Sequence, residues 1–132
     1  MKKTLLMFFA LLCISLPAFS QIQQQQQQQF PIIKPTLTYG QIQFALNLMS
    51  RIELMGSEVD AFIEIKGVML PVLVKAEKEQ KKLNEKTTLE LNVKQADNVI
   101  AFMSRGKLQG IEADVYKEFK DALFIAAQSL RK

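Results

Sequence analysis

Apolar residues recur three and four positions apart through most of residues 37–130, which is the spacing of amphipathic α-helices. In the first such stretch, the apolar side consists of Ile42, Ala45, Leu46, Met49 and Ile52. A later stretch forms the same kind of side with Val93, Ala96, Val99, Ile100 and Met103. The pattern predicts an all-α fold in which each helix buries one side.

Polar residues at a fixed spacing predict where these two helices begin. Thr38 is followed three residues later by Gln41, and Asn92 is followed by Gln95 at the same distance. In such a capping box, each of the two side chains accepts a hydrogen bond from the backbone of the other residue. Helices are therefore expected to start directly after Thr38 and Asn92.

Two glycines predict the turns between helices. Gly56 and Gly110 each follow an apolar stretch, and glycine accepts the left-handed conformation in which many helices end. Ser57 is expected to cap the helix after the first turn. The buried side of that second helix is predicted to comprise Val59, Phe62, Ile63, Met69 and Leu70. The buried side of the last helix is predicted to comprise Val115, Tyr116, Phe119, Ala122, Leu123, Ala126 and Leu130.

The chain contains an internal repeat, because residues 37–70 align without gaps onto residues 91–124 at an offset of 54. Eleven of the 34 aligned positions are identical, where about two or three would be expected from ordinary residue frequencies. The identical pairs are Leu37/Leu91, Gln41/Gln95, Met49/Met103, Ser50/Ser104, Arg51/Arg105, Leu54/Leu108, Gly56/Gly110, Glu58/Glu112, Asp60/Asp114, Glu64/Glu118 and Lys66/Lys120. The repeat predicts two duplicated helical hairpins that form a compact four-helix domain.

The connection between the two repeats leaves alternatives open. Pro71 either kinks the second helix or lies in the first turn of a new one. The charged stretch around Glu77 and Lys81, a favourable pair four residues apart, would make a fifth helix exposed to solvent. Residues 87–93 alternate between polar and apolar, which also allows a short strand that pairs with residues 36–39.

The first 36 residues have a different composition from the rest of the chain. Residues 1–20 follow the pattern of a secretory signal peptide, with two lysines, a short apolar stretch and small residues before a cleavage site after Ser20. We therefore expect an exported protein, either periplasmic or secreted. Residues 21–36 contain seven consecutive glutamines and two prolines, and are expected to form a disordered or extended spacer. The helical domain is expected to span residues 37–132.

The composition of the chain after Ser20 excludes several classes of function. Cleavage removes Cys13 and two of the 17 Lys and Arg residues, leaving 15 against 13 Asp and Glu. This balance does not favour nucleic acid as a partner. Without histidine or cysteine, the familiar Ser-His-Asp and Cys-His catalytic sites and the common zinc sites cannot form. No cofactor motif and no later stretch long enough to span a membrane is present. We therefore expect no catalytic residues and no cofactor.

Carboxylate chemistry is the alternative interpretation. The first repeat contains Glu58-x-Asp60-x-x-x-Glu64, and the second repeats this spacing from Glu112 to Glu118. Carboxylates four residues apart share a face of a helix. Paired carboxylates bind hard cations or act as acid and base, which would make the protein cation-binding or a carboxylate-dependent enzyme. Acidic residues in the first turn of an exposed helix explain the same pattern without any site.

Two arginines at equivalent positions are candidates for contact with a partner. Arg51 and Arg105 lie near the predicted ends of the first and third helices. They are expected either to reach Glu58 or Glu112 across the hairpin, or to clamp an anionic group together.

Apolar residues off the main sides of the helices are the other candidates. Phe44 and Leu48 lie off the apolar side of the first helix, as Met55 does, and Phe102 lies off that of the third. They form either an exposed patch or a second buried face. We therefore expect a small, non-enzymatic helical interaction protein whose partner is another protein or a second copy of this chain.

Overall fold

The computed structural model of the chain describes residues 29–131. This part is mostly helical, in agreement with the predicted pattern. Its helices are α1 (Tyr39–Met49), α2 (Val59–Lys78), α3 (Val93–Ser104) and α4 (Ala113–Gln128). Its short strands are β1 (Ile32–Ile33), β2 (Thr36–Thr38), β3 (Lys86–Thr88) and β4 (Leu91–Asn92). The predicted signal peptide and residues 21–28 of the predicted spacer lie outside the described residues.

The segments that lead into α1 and α3 pair with each other in one antiparallel register. β1 pairs with β4 and β2 pairs with β3, so that Ile33 faces Leu91 and Leu37 faces Thr87. Between the two strand pairs, the Pro35 carbonyl accepts a hydrogen bond from the Leu89 amide at 3.0 Å. Proline has no N–H to donate in return, which explains why the ladder is interrupted there. The predicted pairing with residues 36–39 is therefore present in part: residues 86–88 pair with residues 36–38, whereas residues 91–92 pair with residues 32–33.

The paired segments belong to the core rather than to its surface. Ile33, Leu37, Leu89 and Leu91 are all buried. Strand side chains alternate between two faces, so each segment turns one apolar row toward the helices. The buried structure consequently starts before Leu37, inside the segment predicted to be a spacer.

The hydrogen bonds at the starts of α1 and α3 agree with the sequence predictions, whereas the conformation of the turn at Gly56 does not. Both capping boxes are confirmed, with Thr38 and Asn92 as the caps. The expectation for Gly56 is wrong, because α1 already ends at Met49 and no glycine in the described range has a positive φ. Gly56 instead opens a short 3-10 turn before α2.

In the turn before α2, the side chain that binds the backbone is Glu58 and not the predicted cap, Ser57. The Glu58 carboxylate accepts a hydrogen bond from the Met55 amide at 2.9 Å, and Ser57 makes no such contact among the described residues. Glu112 and the Gln109 amide form the equivalent bond, also at 2.9 Å. A longer acidic side chain can reach back across the 3-10 turn to an amide that serine would not reach.

The helix α2 continues through Pro71 and ends at Lys78, so the charged stretch after it is not a fifth helix. Gln80 adopts φ 52°, and the Gln80 and Lys81 amides donate to the carbonyls of Glu77 and Ala76. This arrangement is a Schellman motif, which ends the helix before Lys81. Because the chain reverses at Gln80, Lys81 pairs with Glu85 (3.7 Å) rather than with Glu77.

The core is formed where α1 packs against the other three helices. Its largest fully buried side chains are Ile33, Leu37, Ile42, Leu48, Met49, Ile65, Met69, Leu89, Leu91, Met103, Phe119 and Leu123. Leu48 and Phe102, predicted as candidates for a surface patch, have exposed fractions of 0% and 4%. They are therefore core residues. A helix with neighbours on several sides buries more than one of its faces.

Candidate functional site

Arg51 and Arg105 each bind a glutamate from the other half of the chain. The Arg51 guanidinium lies 2.8 Å from Glu112, and the Arg105 guanidinium lies 2.6 Å from Glu58. Both contacts follow the 54-residue offset, since Arg51 is equivalent to Arg105 and Glu58 to Glu112. Each arginine therefore reaches one of the two predicted glutamates, but in the other hairpin rather than across its own.

Both glutamates also accept backbone hydrogen bonds, so each is bound by two donors. The Arg105 guanidinium, followed by the Met55 amide, lowers the pKa of Glu58 below its ordinary value. The Arg51 guanidinium and the Gln109 amide lower the pKa of Glu112 in the same way. Hydrogen bonds to the charged form of a carboxyl group favour that form. The four charges therefore tie the turn before α2 to the end of α3, and the turn before α4 to the end of α1.

The two arginines line one open cavity of about 700 Å³, together with Glu53 and Lys107. Arg105 also donates to the Glu53 carbonyl, and Arg51 donates to the Asn47 carbonyl at 3.2 Å. Because each guanidinium is already neutralised by a glutamate, the cavity does not present two free positive charges to a ligand. This geometry does not favour the alternative of a clamp for an anionic group.

The acidic clusters disperse instead of converging. Glu64 accepts a hydrogen bond from the Gln95 side chain at 2.7 Å, and Glu118 accepts one from the Gln41 side chain at 3.0 Å. With Glu58 and Glu112 bound to arginines, all four repeated glutamates have donors from the other half of the chain. Within residues 29–131, no three acidic groups lie close enough to hold a metal ion. The repeated acidic clusters of the two halves therefore do not meet in one site.

The outer face of α2 is an exposed apolar surface in the described structure. Four large apolar side chains point away from the core, with exposed fractions of 38% for Val59, 60% for Ile63, 42% for Leu70 and 42% for Val74. Together with Gly67 they are three or four residues apart, so they form one stripe along the helix, about 22 Å long at 1.5 Å per residue. We call these five residues the outer α2 stripe. It lies opposite the buried side, which contains Ile65, Met69 and Ala76.

Three residues of the outer α2 stripe were predicted to be buried, and that prediction is wrong. Val59, Ile63 and Leu70 face solvent, while Ile65, which was not singled out, is fully buried. The helix carries two apolar faces with the same period, and the sequence does not say which face meets α1 and α3. An excess of apolar residues over one stripe was the available signal.

The equivalent face of α4 shows that the fold does not require an apolar surface at these positions. The residues equivalent to the outer α2 stripe are Ala113, Lys117, Asp121, Phe124 and Gln128. There, Lys117 and Asp121 form an ion pair at 2.6 Å. Lys86 and Asp121 also line one cavity of about 400 Å³, and their equivalents are Ile32 and Gly67. Three charged positions in the second half are therefore uncharged in the first.

The remaining predicted contact residues lie apart from this face. Phe44 is partly buried against the core, and Met55 is exposed in the turn before α2. With Leu48 and Phe102 in the core, the predicted patch does not exist as a continuous surface. Of the predicted apolar candidates, Met55 alone is strongly exposed.

Comparison of the chain with known proteins adds no further information about the site. None of the helices in the described range is long and apolar enough to cross a membrane. No family model, no curated protein and no solved structure matches this chain.

Proposed function

We propose that this protein is a small exported helical interaction module, without catalytic activity, that binds a protein partner through the outer α2 stripe. The observation that carries the proposal is the difference between α2 and α4 at equivalent positions. Four large apolar side chains are exposed along the α2 stripe, whereas the equivalent positions of α4 include one, Phe124, together with the charged pair Lys117 and Asp121. Contiguous exposed apolar surface on a water-soluble fold typically marks an interaction site.

We further propose that residues 37–70 and 91–124 are two copies of one helical hairpin. The recurrence of contacts at the 54-residue offset supports this, since capping boxes, Arg–Glu pairs and Gln–Glu hydrogen bonds all occur twice. In this scheme the second copy is the scaffold, with a charged outer face. The first copy keeps the same fold and has gained the apolar stripe.

The stripe is not needed for folding, which is why a function is the better explanation. A side chain added at Gly67 would meet no atom within 4 Å. Glycine inside a helix lowers stability by about 0.5–1 kcal/mol relative to alanine. Within one chain, Ile63 remains 60% exposed and Leu70 42% exposed. Apolar surface that is left unburied at these positions is consistent with a role in binding.

Site-specific photo-crosslinking in the native host tests the proposal. A benzophenone-bearing amino acid replaces Ile63 in one variant and Lys117, its equivalent on α4, in the other. We expect a discrete adduct from position 63 and none from position 117. The same adduct should fall at least tenfold, an order-of-magnitude expectation for loss of a central contact, when Gly67→Asp is added.

The control separates binding from damage to the fold. Asp121 occupies the position equivalent to Gly67, so the aspartate is compatible with this type of helix face. Equal helicity by circular dichroism for both variants is therefore required. Absence of any adduct at position 63, or identical adducts at 63 and 117, would contradict the proposed function.

A further inference from the structure

We propose that the outer α2 stripe binds the same stripe of a second copy of this chain, with the two α2 helices antiparallel. This inference rests on the proposed function and names its partner. A two-fold symmetric interface must be self-complementary, because the same residues contribute from both sides. The stripe can be tested against that requirement residue by residue.

The order of residues in the stripe is nearly the same in both directions. From either end it reads valine, a larger aliphatic residue, glycine, a larger aliphatic residue and valine. Its midpoint lies beside Gly67, with Val59 and Val74 equally distant from it, and Ile63 and Leu70 equally distant inside them. Antiparallel pairing about that midpoint places Ile63 opposite Leu70 of the second copy and Val59 opposite its Val74.

The glycine at the centre permits the close approach that such a pair needs. Gly67 is exposed and has open space where a β-carbon would be. Small residues at a crossing point allow two helix backbones to approach closely, so that the larger side chains on either side interlock. The equivalent position on α4 is Asp121, which would separate two helices there.

The charges on one flank of the stripe complement each other in an antiparallel pair. At 100° per residue, Asp60, Glu64, Lys75 and Lys78 lie on the same flank of the stripe. The two acidic residues are in the N-terminal half of α2 and the two lysines are in the C-terminal half. In an antiparallel pair, this flank of one helix faces the same flank of the other helix, running in the opposite direction. The two acidic residues of each copy then lie near the two lysines of the other. In a parallel pair, the flank would instead face the other flank, which carries Lys66, so the acidic residues and the lysines of this flank would not meet each other.

The same flanks argue against a membrane surface as the partner. A helix that lies on an anionic membrane usually has a strongly basic polar face. On α2, Asp60 and Glu64 balance Lys75 and Lys78, so there is no net positive flank. A protein surface that carries both acidic and basic residues matches these flanks better than an anionic membrane does.

The interface is small, and one contact within it is unfavourable. A single helix face from each copy buries less than the roughly 800 Å² per partner of a standard complex. Lys66 lies next to the midpoint, on the other flank, so the two copies bring their Lys66 side chains near each other. The dimer is therefore weak, and Lys66→Gln should strengthen it several-fold.

Sedimentation equilibrium of the purified exported protein tests the pairing, at concentrations from about 1 µM to 1 mM, which cover weak association. We expect the mean mass to rise from one copy to two. The variant Ile63→Lys/Gly67→Asp copies the Lys117–Asp121 pair onto α2 and should remain one copy throughout. As a matched control, Lys117→Asp/Asp121→Lys exchanges the charges on α4 and should dimerise like the wild type.

Cysteine crosslinking tests the direction. A mixture of Val59→Cys and Val74→Cys chains should form a disulfide-linked dimer at least tenfold faster than either variant alone, a conservative order of magnitude given the strict geometry of disulfides. The reverse result would indicate parallel helices and overturn the proposal. Cys13 precedes the predicted cleavage site, so mass spectrometry of the purified chains must first exclude a second thiol.

The outcomes distinguish this inference from the proposed function. A single copy at every concentration, or a dimer that the α2 variant does not disrupt, overturns pairing between copies. If position 63 then still crosslinks to a different protein, the proposed function stands with that protein as partner. If the purified protein instead binds vesicles containing anionic phosphatidylglycerol, and the α2 variant abolishes binding, a membrane partner replaces the second copy.

Discussion

Gly106, after the end of α3, lies directly against the buried side chain of Leu48 in α1. A β-carbon built on Gly106 would be only 2.7 Å from Leu48 Cγ and 3.3 Å from the Met103 carbonyl oxygen. No described glycine has a positive φ, so backbone conformation does not require a glycine here. The requirement comes from packing between the two halves of the chain.

We expect Gly106→Ala to lower the free energy of unfolding by about 1–3 kcal/mol, because the added methyl group overpacks a fully buried leucine. Urea denaturation with an unchanged m-value measures this loss. Leu48→Ala alone should cost about 2–5 kcal/mol by leaving a cavity.

The combination of Gly106→Ala and Leu48→Ala identifies the contact. The double variant should lose less stability than the two single losses added together. The reason is that alanine at position 48 leaves room for the methyl group added at position 106. Gly110→Ala is the control, since nothing lies within 4 Å of a β-carbon there. Simple additivity would contradict the proposed contact.

The Arg51–Glu112 and Arg105–Glu58 ion pairs should make the free energy of unfolding depend on pH in the acid range. The pKa values of Glu58 and Glu112 are lowered in the folded protein, so their contribution is complete above the unfolded-state pKa of about 4.3 and is lost as the pH falls through the folded-state values. Arg51→Met with Arg105→Met should therefore reduce the loss of stability between neutral and strongly acid pH. Thermal unfolding at a series of pH values measures the effect.

A pair with little burial provides the comparison for that experiment. Lys34 and Glu90 form an ion pair at 2.8 Å in which both side chains are largely exposed. Such pairs contribute little, so Lys34→Met should change stability much less at neutral pH than removal of the two arginines. An equal effect would mean that the Arg–Glu contacts are ordinary surface pairs.

Gln80 should be improved by glycine. Its φ of 52° lies in the left-handed region, which costs a non-glycine residue roughly 1 kcal/mol. We expect Gln80→Gly to raise the free energy of unfolding by up to about that amount, as measured by urea denaturation. Gln43→Gly, at an exposed position inside α1, should lower stability instead, because glycine is unfavourable in a helix. A loss of stability with Gln80→Gly would contradict the Schellman motif described for the end of α2.

Gly67→Ala should raise stability at the expense of association. The residue is in the middle of α2 with no neighbour at the β-carbon, so alanine should add about 0.5–1 kcal/mol. If Gly67 is the point of close approach between two helices, the same variant should also weaken the dimer. If the variant is more stable but dimerises as the wild type does, Gly67 is not a point of close approach between two helices.

Local interactions made several features predictable. Thr38 with Gln41 specifies a helix start because the two residues bond within one turn, whatever surrounds them. The repeat placed Arg51 and Arg105 at equivalent positions, so equivalent glutamates were foreseeable as their partners, although not that each partner would lie in the other half of the chain. On the predicted buried side of the last helix, Phe119, Leu123 and Ala126 are indeed buried. Leu130 is 45% exposed, because it lies beyond the end of α4.

The turns and the ends of helices were less predictable, since competing local signals exist there. Glycine is typical of helix ends, which led to the prediction at Gly56, but α1 ends earlier, at Met49. The segment after Met49 carries Arg51 toward Glu112 in the other half of the chain. No short stretch of sequence contains that information.

The sequence by itself determined the helices, the starts of α1 and α3, and the apolar character of both faces of α2. Only the tertiary structure decided that Ile65 and Met69 are inside while Ile63 and Leu70 are outside. The physical reason is that helical periodicity sets which residues share a face, whereas burial depends on which face meets neighbouring elements. For α2 those neighbours are α1 and α3, which cover one apolar side and leave the other exposed.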